Sequence, residues 1–218
     1  YIDMLRRNMV DGVIVNSLNI GAEAYAEMGL SLVGIDCDLG EASVQIASDS
    51  YGIGELATRR LIDDGCSRIL CLRNNSRMRM PANKRTDAYH DVVEQAGLPA
   101  LVREVEFVKS DDEKSAVVAK ILDENPDIDG IFAGDDTMAA ICLNVMKRRG
   151  LSAPDDIKVV GADGARRTMT FMPDLTTVRQ DIDRIGELAA QSIIALVNGE
   201  KPESNTKLPV ELIEGKTA

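Results

Sequence analysis

Short apolar runs alternate with amphipathic helical stretches along nearly the whole chain. "DGVIVNS", "LSLVGIDCD" and "ASVQIASDS" each gather Val, Ile or Leu over a few positions and end in polar residues, the pattern of strands buried in a sheet. "SRILCLRNN", a segment near "VREVEFV", "DGIFAG", "DIKVVGADG" and "LTTVRQ" repeat it, and "KLPVELIEG" reads as a closing strand. Between them, "IGELATRRLIDDG" puts Ile53, Leu56, Ala57 and Leu61 on one helical face, with Gly65 as its stop. "KRTDAYHDVVEQAG" carries Ala88, Tyr89, Val92, Val93 and Ala96 at helical spacing, and "DEKSAVVAKILDENP" forms a further helix. A long helix follows "LTTVRQ", with Ile182, Ile185, Leu188, Ala189, Ile193, Leu196 and Val197 on one side. Strand–helix alternation of this kind predicts a mainly parallel sheet covered by helices. No low-complexity segment or short repeat interrupts it.

Length and charge narrow the picture. The 218 residues suffice for one large domain or two small ones. A formal charge of -11 makes this chain a poor nucleic-acid binder by itself, because phosphate contacts need clustered Lys and Arg. Cys37, Cys66, Cys71 and Cys142 lie in or beside apolar segments without a CxxC pair, and His90 is the single histidine. Buried reduced thiols are therefore expected, and no metal site. No apolar run is long enough to span a membrane and no signal peptide is visible. The chain opens inside the helix-like "YIDMLRRNM", as a fragment would.

"YGIGELA" imitates a dinucleotide-binding glycine motif through Gly52, Gly54 and Ala57. The imitation fails on context. "SDSY" separates strand from glycine, and the next strand ends in "LRNN" without the acidic residue that would hold a ribose. The simpler reading is that the glycines let the start of a helix pack close to the sheet. No cofactor is expected.

In an open parallel sheet ligands bind outside the carboxyl ends of the strands. Those ends offer Asn16 and Ser17, Asp36 and Asp38, Asp49 and Ser50, Asn74 and Asn75, Asp135 and Asp136, then Asp163. The set mixes carboxylates, amides and hydroxyls and holds no activated nucleophile beside a base, so an enzyme is not expected. The adjacent pair Asp135–Asp136 at the junction of "DGIFAG" and its helix admits four readings: a catalytic pair, a magnesium site, a helix cap, or a grip on a polar ligand. Asp136 stands where an N-cap belongs, before Thr137 and Met138. Asp135 then lies at the strand tip, where a carboxylate suits neighbouring hydroxyls of a sugar-like molecule.

Several stretches, in the correct order from Tyr1 nearly to the C-terminus, resemble the LacI/GalR family of transcriptional regulators. "FAGDDTMA", "DIKVVGADG", "PDLTTVRQDIDRIGELAAQ", "SDSYGIGELATRRLIDDG" and "KRTDAY" carry the likeness. It implies an α/β fold of the periplasmic-binding-protein type: two doubly wound parallel-sheet subdomains with a ligand between them. The implied N-terminal subdomain, residues 1–65 and 181–201, lacks its first strand and helix in this sequence; the C-terminal one takes residues 66–180 and 202–218. Crossovers are expected near residues 64–67, 177–183 and 200–207. Carried over residue by residue, Arg85, Asp135, Asp163 and Gln180 become ligand-binding candidates, with Ser50 and Asn16 on the upstream strand ends. Asp135 departs from the family's usual Asn, Ala88 from its Gly and Ala162 from its aromatic residue.

The resemblance implies the effector-binding and dimerisation domain of a cytoplasmic regulator: a small polar effector, operator DNA reached through a helix-turn-helix outside this sequence, and a homodimer. A secreted solute-binding protein feeding a transporter has the same fold and stays open at this point. The dimer expectation draws on the helix 137–149, where Met138, Ile141, Cys142, Val145 and Met146 exceed what one buried face requires. Tyr51, Phe107 and Phe171 are the aromatic candidates for stacking on a sugar, with core packing the default for each.

Overall fold

The computed structural model describes residues 10–16, 30–37, 39–40, 43–75, 81–106 and 108–218. The helix-like opening 1–9, Ser17, Asp38, Phe107 and residues 76–80 of the basic loop lie outside the described residues. The chain divides into two compact units. One is Tyr1–Asp49, Met78–Ala82 and Asp181–Pro209; the other is Ser50–Arg77, Asn83–Gln180 and Val210–Ala218.

The first unit holds strands β1 (Gly12–Val15), β2 (Ser31–Ile35) and β3 (Val44–Ser48). A later strand, β9 (Asn205–Leu208), pairs parallel with β3, so the sheet order is β1-β2-β3-β9. Helix α6 (Ile182–Val197) covers it: Ile185 and Ala189 bury against Val33, Val44 and Ile46.

The second unit is a six-stranded sheet in the order β10-β8-β7-β6-β4-β5. Its strands are β4 (Ile69–Asn75), β5 (Leu101–Glu106), β6 (Gly130–Ala133), β7 (Lys158–Asp163), β8 (Thr176–Gln180) and β10 (Val210–Ile213). All pairings are parallel except that of β10 with β8. The central strands read as continuous apolar runs because both faces are covered, and alternate side chains go to opposite sides. Leu70, Leu72, Ile131 and Val159 meet helices α3 (Asp111–Glu124) and α4 (Asp136–Arg148). Ile69, Cys71, Phe132 and Val160 meet α1 (Ser50–Asp63) and α2 (Lys84–Gln95). Helix α3 starts with a complete capping box between Ser110 and Glu113, and Tyr89 of α2 ties its hydroxyl to the Ile69 carbonyl and the Leu101 N–H. A short helix, α5 (Arg166–Phe171), follows β7.

Several sequence expectations change here. Helix α1 was assigned with the first subdomain, yet Ile53, Ala57 and Leu61 are buried in the core of the second unit, so the chain changes unit between Asp49 and Ser50. The expected closing strand "KLPVELIEG" is two strands. Pro209 separates β9 from β10, and each joins a different sheet. Segment 202–209 therefore belongs to the first unit. The close approach made by "YGIGELA" is to a helix: a Cβ on Gly54 would run into the backbone carbonyl of Arg85 in the first turn of α2. The apolar surplus on helix 137–149 is consumed inside the chain, where Met138, Ile141, Cys142, Val145 and Met146 are all buried between sheet and α3. Phe171, expected in the core, is 75% exposed.

Cys66, Cys71 and Cys142 are buried free thiols, and burial pushes them up to about 11, 12 and 12 respectively. Among the described residues no helix is long and apolar enough to cross a membrane.

Candidate functional site

Strand order locates the place to look. After β4 the chain goes to its neighbour β5, then crosses back over to β6 on the other side of β4. The adjacent strands β4 and β6 thus part at a topological switch point, where open α/β sheets bind ligands. Their last ladder partners are Leu72 and Ala133, and the Gly134 N–H still donates to the Leu72 carbonyl at 2.8 Å. Beyond that bond the opening is spanned by side chains: Asn74 Nδ2 donates to Asp135 Oδ2 at 2.7 Å.

Asp135 is the N-cap of α4. Its backbone is extended and its Oδ1 accepts the Met138 N–H at 2.7 Å. The sequence pattern assigns that role to Asp136 and leaves Asp135 for a ligand. Instead Asp136 is the first helical residue, 3% exposed, and its carboxylate points inward. Either aspartate satisfied the capping pattern by type; the register is set by where β6 ends. Asp136 Oδ1 accepts the Thr177 hydroxyl at 2.6 Å and Oδ2 accepts the Gly164 N–H at 2.9 Å. Burial pushes its carboxyl up to about 6, with Asp163 and Asp135 adding to the shift while the Thr177 and Gly164 hydrogen bonds oppose it.

Arg85, in the first turn of α2, reaches the same edge. Its Nη1 donates to the Gly134 carbonyl at 2.6 Å and its Nη2 to Asp163 Oδ1 at 3.0 Å. Gln180 Nε2 donates to that same carboxylate oxygen at 2.6 Å. Arg85 and Asp163 both belong to the second unit. Arg85 Nε is buried and has no hydrogen-bond partner among the described residues. Asp163 closes β7 with φ +108°, a left-handed conformation that costs a non-glycine residue about 1–3 kcal/mol. Burial raises its carboxyl above the usual range; Arg85 pulls it down, Asp135 pushes it up and Gln180 pulls it down again.

Arg85, Asp135, Asp163 and Gln180 are therefore brought together, linked through Gly134. Ser50 is not with the upstream strand ends: it is buried at the start of α1, inside the second unit. Asn16 is exposed at the end of β1 in the first unit. Asn74 stood among the strand-end residues but was not picked out; its position at the tip of the strand beside the switch point is the signal that finds it. Thr177 carried no signal, since a buried threonine in a strand is ordinary. Tyr51 is tied to Asp91 by a 2.8 Å hydrogen bond. Among the described residues no group of three or more His, Cys, Asp and Glu side chains is arranged to hold a metal ion.

The chain matches the periplasmic binding protein-like domain family over residues 58–218. It is 32% identical over 220 residues to the sucrose operon repressor of Pediococcus pentosaceus, covering 100% of this chain and 67% of that protein. The ribose operon repressor of Halalkalibacterium halodurans is 30% identical over 220 residues, covering 100% of this chain and 65% of the relative. Among solved structures, the transcriptional regulator CelR–cellobiose complex aligns with a TM-score of 0.88 at 27% identity, covering 100% of this chain and 68% of that one. The chain spans about two thirds of the length of the curated relatives it matches.

Fold, switch-point cluster and these likenesses define an α/β ligand-sensing domain of the periplasmic-binding-protein type. The chain belongs to the LacI/GalR family of transcriptional regulators, as its effector-binding domain. These relatives are repressors rather than enzymes, and rather than the transporter-linked solute-binding proteins that share the fold.

Proposed function

We propose that the strand-end cluster of the second unit binds a small, neutral, hydroxyl-rich effector of the sugar class, and that the bound effector alters operator binding by the intact protein. The observation that carries this reading is the state of Arg85. Two of its nitrogens are fixed by Gly134 and Asp163, and Gln180 holds the same Asp163 oxygen. The fixed guanidinium orients the Asp163 carboxylate, which is 32% exposed, toward the hydroxyls of a polar ligand. The carboxylates beside it accept hydrogen bonds in pairs, which matches vicinal hydroxyls. Asp135 and Asp163 also disfavour an anionic ligand. The names of the relatives, repressors of sucrose and ribose operons, and the cellobiose bound to CelR support the class without selecting the sugar.

Arg85, Asp163 and Gln180 are the contacts proposed in the second unit. Asp135 would contribute chiefly by holding Asn74. Ser50, being buried, is a candidate only for backbone support. The role is binding, without cofactor or catalysis. Operator recognition through a helix-turn-helix, a cytoplasmic location and a homodimer complete the proposal. The dimer now rests on the family and on the exposed apolar side chains Ile182, Ile194 and Val197 of α6, and sedimentation of the intact protein tests it.

Differential scanning fluorimetry with sucrose, D-ribose and cellobiose tests the effector class. A ligand at about a hundredfold excess over Kd adds about 2.7 kcal/mol of stability. One of the three should raise Tm in the wild type and fail to do so in Arg85→Ala. A wild type indifferent to all three, and to a wider panel of neutral sugars, overturns the reading.

A further inference from the structure

We infer that Asp136 is a positioning residue: its buried carboxylate holds the turn after β7 so that Asp163 presents its own carboxylate to Arg85 and Gln180. This rests on the reading of that cluster as the effector site. Asp136 cannot touch a ligand in this arrangement, because it is 3% exposed and both its oxygens are engaged. What it does instead is visible in its partners. Asp163 and Gly164 are consecutive left-handed residues, at φ +108° and +57°. Such a pair does not hold itself in place when its first member carries a side chain. Something must anchor the turn, and Asp136 Oδ2 takes the N–H that immediately follows Asp163.

The anchor is itself held in place, and the backbone around it is shaped to admit it. Thr177 of β8, 0% exposed, donates its hydroxyl to the other carboxylate oxygen. Gly161 of β7 leaves room for that oxygen, since a Cβ there would lie 2.5 Å from it. The turn backs onto β8, where a Cβ on Gly164 would lie 2.8 Å from the Arg179 Cα. The carboxylate also sits in the first turn of α4, where the helix dipole favours a negative charge. The two adjacent aspartates thus divide one task. Asp135 faces outward along the sheet edge and holds Asn74 at the end of β4, while Asp136 faces inward and holds the β7 turn and β8.

The test compares Asp136→Asn, Asp136→Ala and Thr177→Val. Asparagine keeps an oxygen for the Gly164 N–H and can turn its amide to Thr177; alanine keeps neither bond. Amide hydrogen exchange is read by NMR without ligand. The Gly164 amide should be protected in wild type and Asp136→Asn, less protected in Thr177→Val and unprotected in Asp136→Ala, while Ile131 and Cys142 stay protected throughout. Calorimetric titration with sucrose and with D-ribose is the second readout. For whichever binds wild type, Asp136→Ala should weaken affinity by roughly tenfold or more, the scale of a lost hydrogen bond to a charged group, and Asp136→Asn should restore it. Equal Gly164 protection in wild type and Asp136→Ala, or equal loss of affinity in the Ala and Asn variants, overturns the proposal. If Asp136→Ala loses protection at Ile131 and Cys142 as well, the contrast between Thr177→Val and Asp136→Asn decides, and equal Gly164 protection in those two overturns it. If neither sugar binds wild type, the choice of effector is at fault and the exchange result still decides the role of Asp136.

Discussion

Asn74 and Asp135 face each other across the switch point, with the Asn74 amide nitrogen 2.7 Å from Asp135 Oδ2. A carboxylate only accepts, so the orientation of the Asn74 amide is determined by its partner. Asp135→Ala should cost about 1–2 kcal/mol of stability, as the loss of an N-cap does, and should free Asn74 as well. Asp135→Asn keeps the cap, since asparagine serves there equally well, but puts an amide where Asn74 now donates. Chemical denaturation should show the alanine variant clearly destabilised and the asparagine variant close to wild type, with a changed order of preference across a sugar panel.

Arg85 should separate binding from folding. Arg85→Ala removes the donors to Gly134 and Asp163 and leaves the partly buried Asp163 carboxyl without its cation, so that group's titration should move further upward. Arg85→Lys keeps a charge without the planar fork that reaches both acceptors. Titration calorimetry should find ligand binding abolished in the first and weakened in the second, while circular dichroism at neutral pH stays that of the wild type. Unchanged affinity in both variants would remove Arg85 from the site.

Gly54 links the fold to this arginine. A methyl group there meets the carbonyl of Arg85, so Gly54→Ala must push the first turn of α2 off α1. Overpacking of this kind costs typically about 1–3 kcal/mol. The same displacement should draw the Arg85 guanidinium away from Gly134 and weaken ligand binding. Tyr89→Phe is the control. It removes the hydroxyl that bonds Ile69 and Leu101 and should lower stability comparably, with ligand affinity kept. Calorimetry on the two variants, matched for fraction folded, distinguishes them.

Ionisation of Asp136 predicts a pH signature. Its carboxyl is raised to about 6 in the folded chain and returns to an ordinary value near 3.8 when unfolded. Between those values the folded state holds a proton that the unfolded state has released. The group's contribution therefore favours folding at low pH and is lost as pH rises from about 4 to about 6, after which it is flat. At roughly 1.4 kcal/mol per pKa unit the loss is ~3 kcal/mol. Urea midpoints of wild type and Asp136→Asn, measured across this range, should diverge in favour of the variant up to pH 6 and then run parallel. A constant difference would mean that Asp136 titrates normally.

Pattern alone located most strands and helices, because runs such as "GIFA" and "KVVGAD" are buried on both faces and their helices carry clean apolar stripes. It did not locate the changes of unit at Asp49–Ser50 and Pro209–Val210. Helix α1 looks the same whichever sheet it covers, and only its contacts with Phe132 and Val178 place it. Asp163 was legible as a carboxylate at a strand end, whereas Arg85 and Gln180 entered only through the family resemblance; the three side chains converge. The division of labour between Asp135 and Asp136 was not legible. One residue of register decides which carboxylate faces the edge and which faces the core, and composition is silent on register. Ser50 was misplaced for a related reason: a hydroxyl following a strand looks like a strand end even when it already begins a helix.

The split of "KLPVELIEG" at Pro209 has a consequence for synthesis. Strand β10 and the segment after it complete the second unit: β10 pairs along β8, the Thr217 hydroxyl bonds to Val159, and the Thr176 hydroxyl bonds to the Ala218 carbonyl. These residues leave the ribosome after α6 and β9 of the first unit. The second unit's sheet is therefore left with β8 as an unpaired edge throughout translation of α6 and β9, and exposed strand edges are where nascent chains misassociate. Contacts of such long sequence separation also form slowly. A ribosome-stalled chain ending at Pro209 should resist proteolysis less in residues 158–180 than one ending at Ala218 with a linker long enough to clear the exit tunnel.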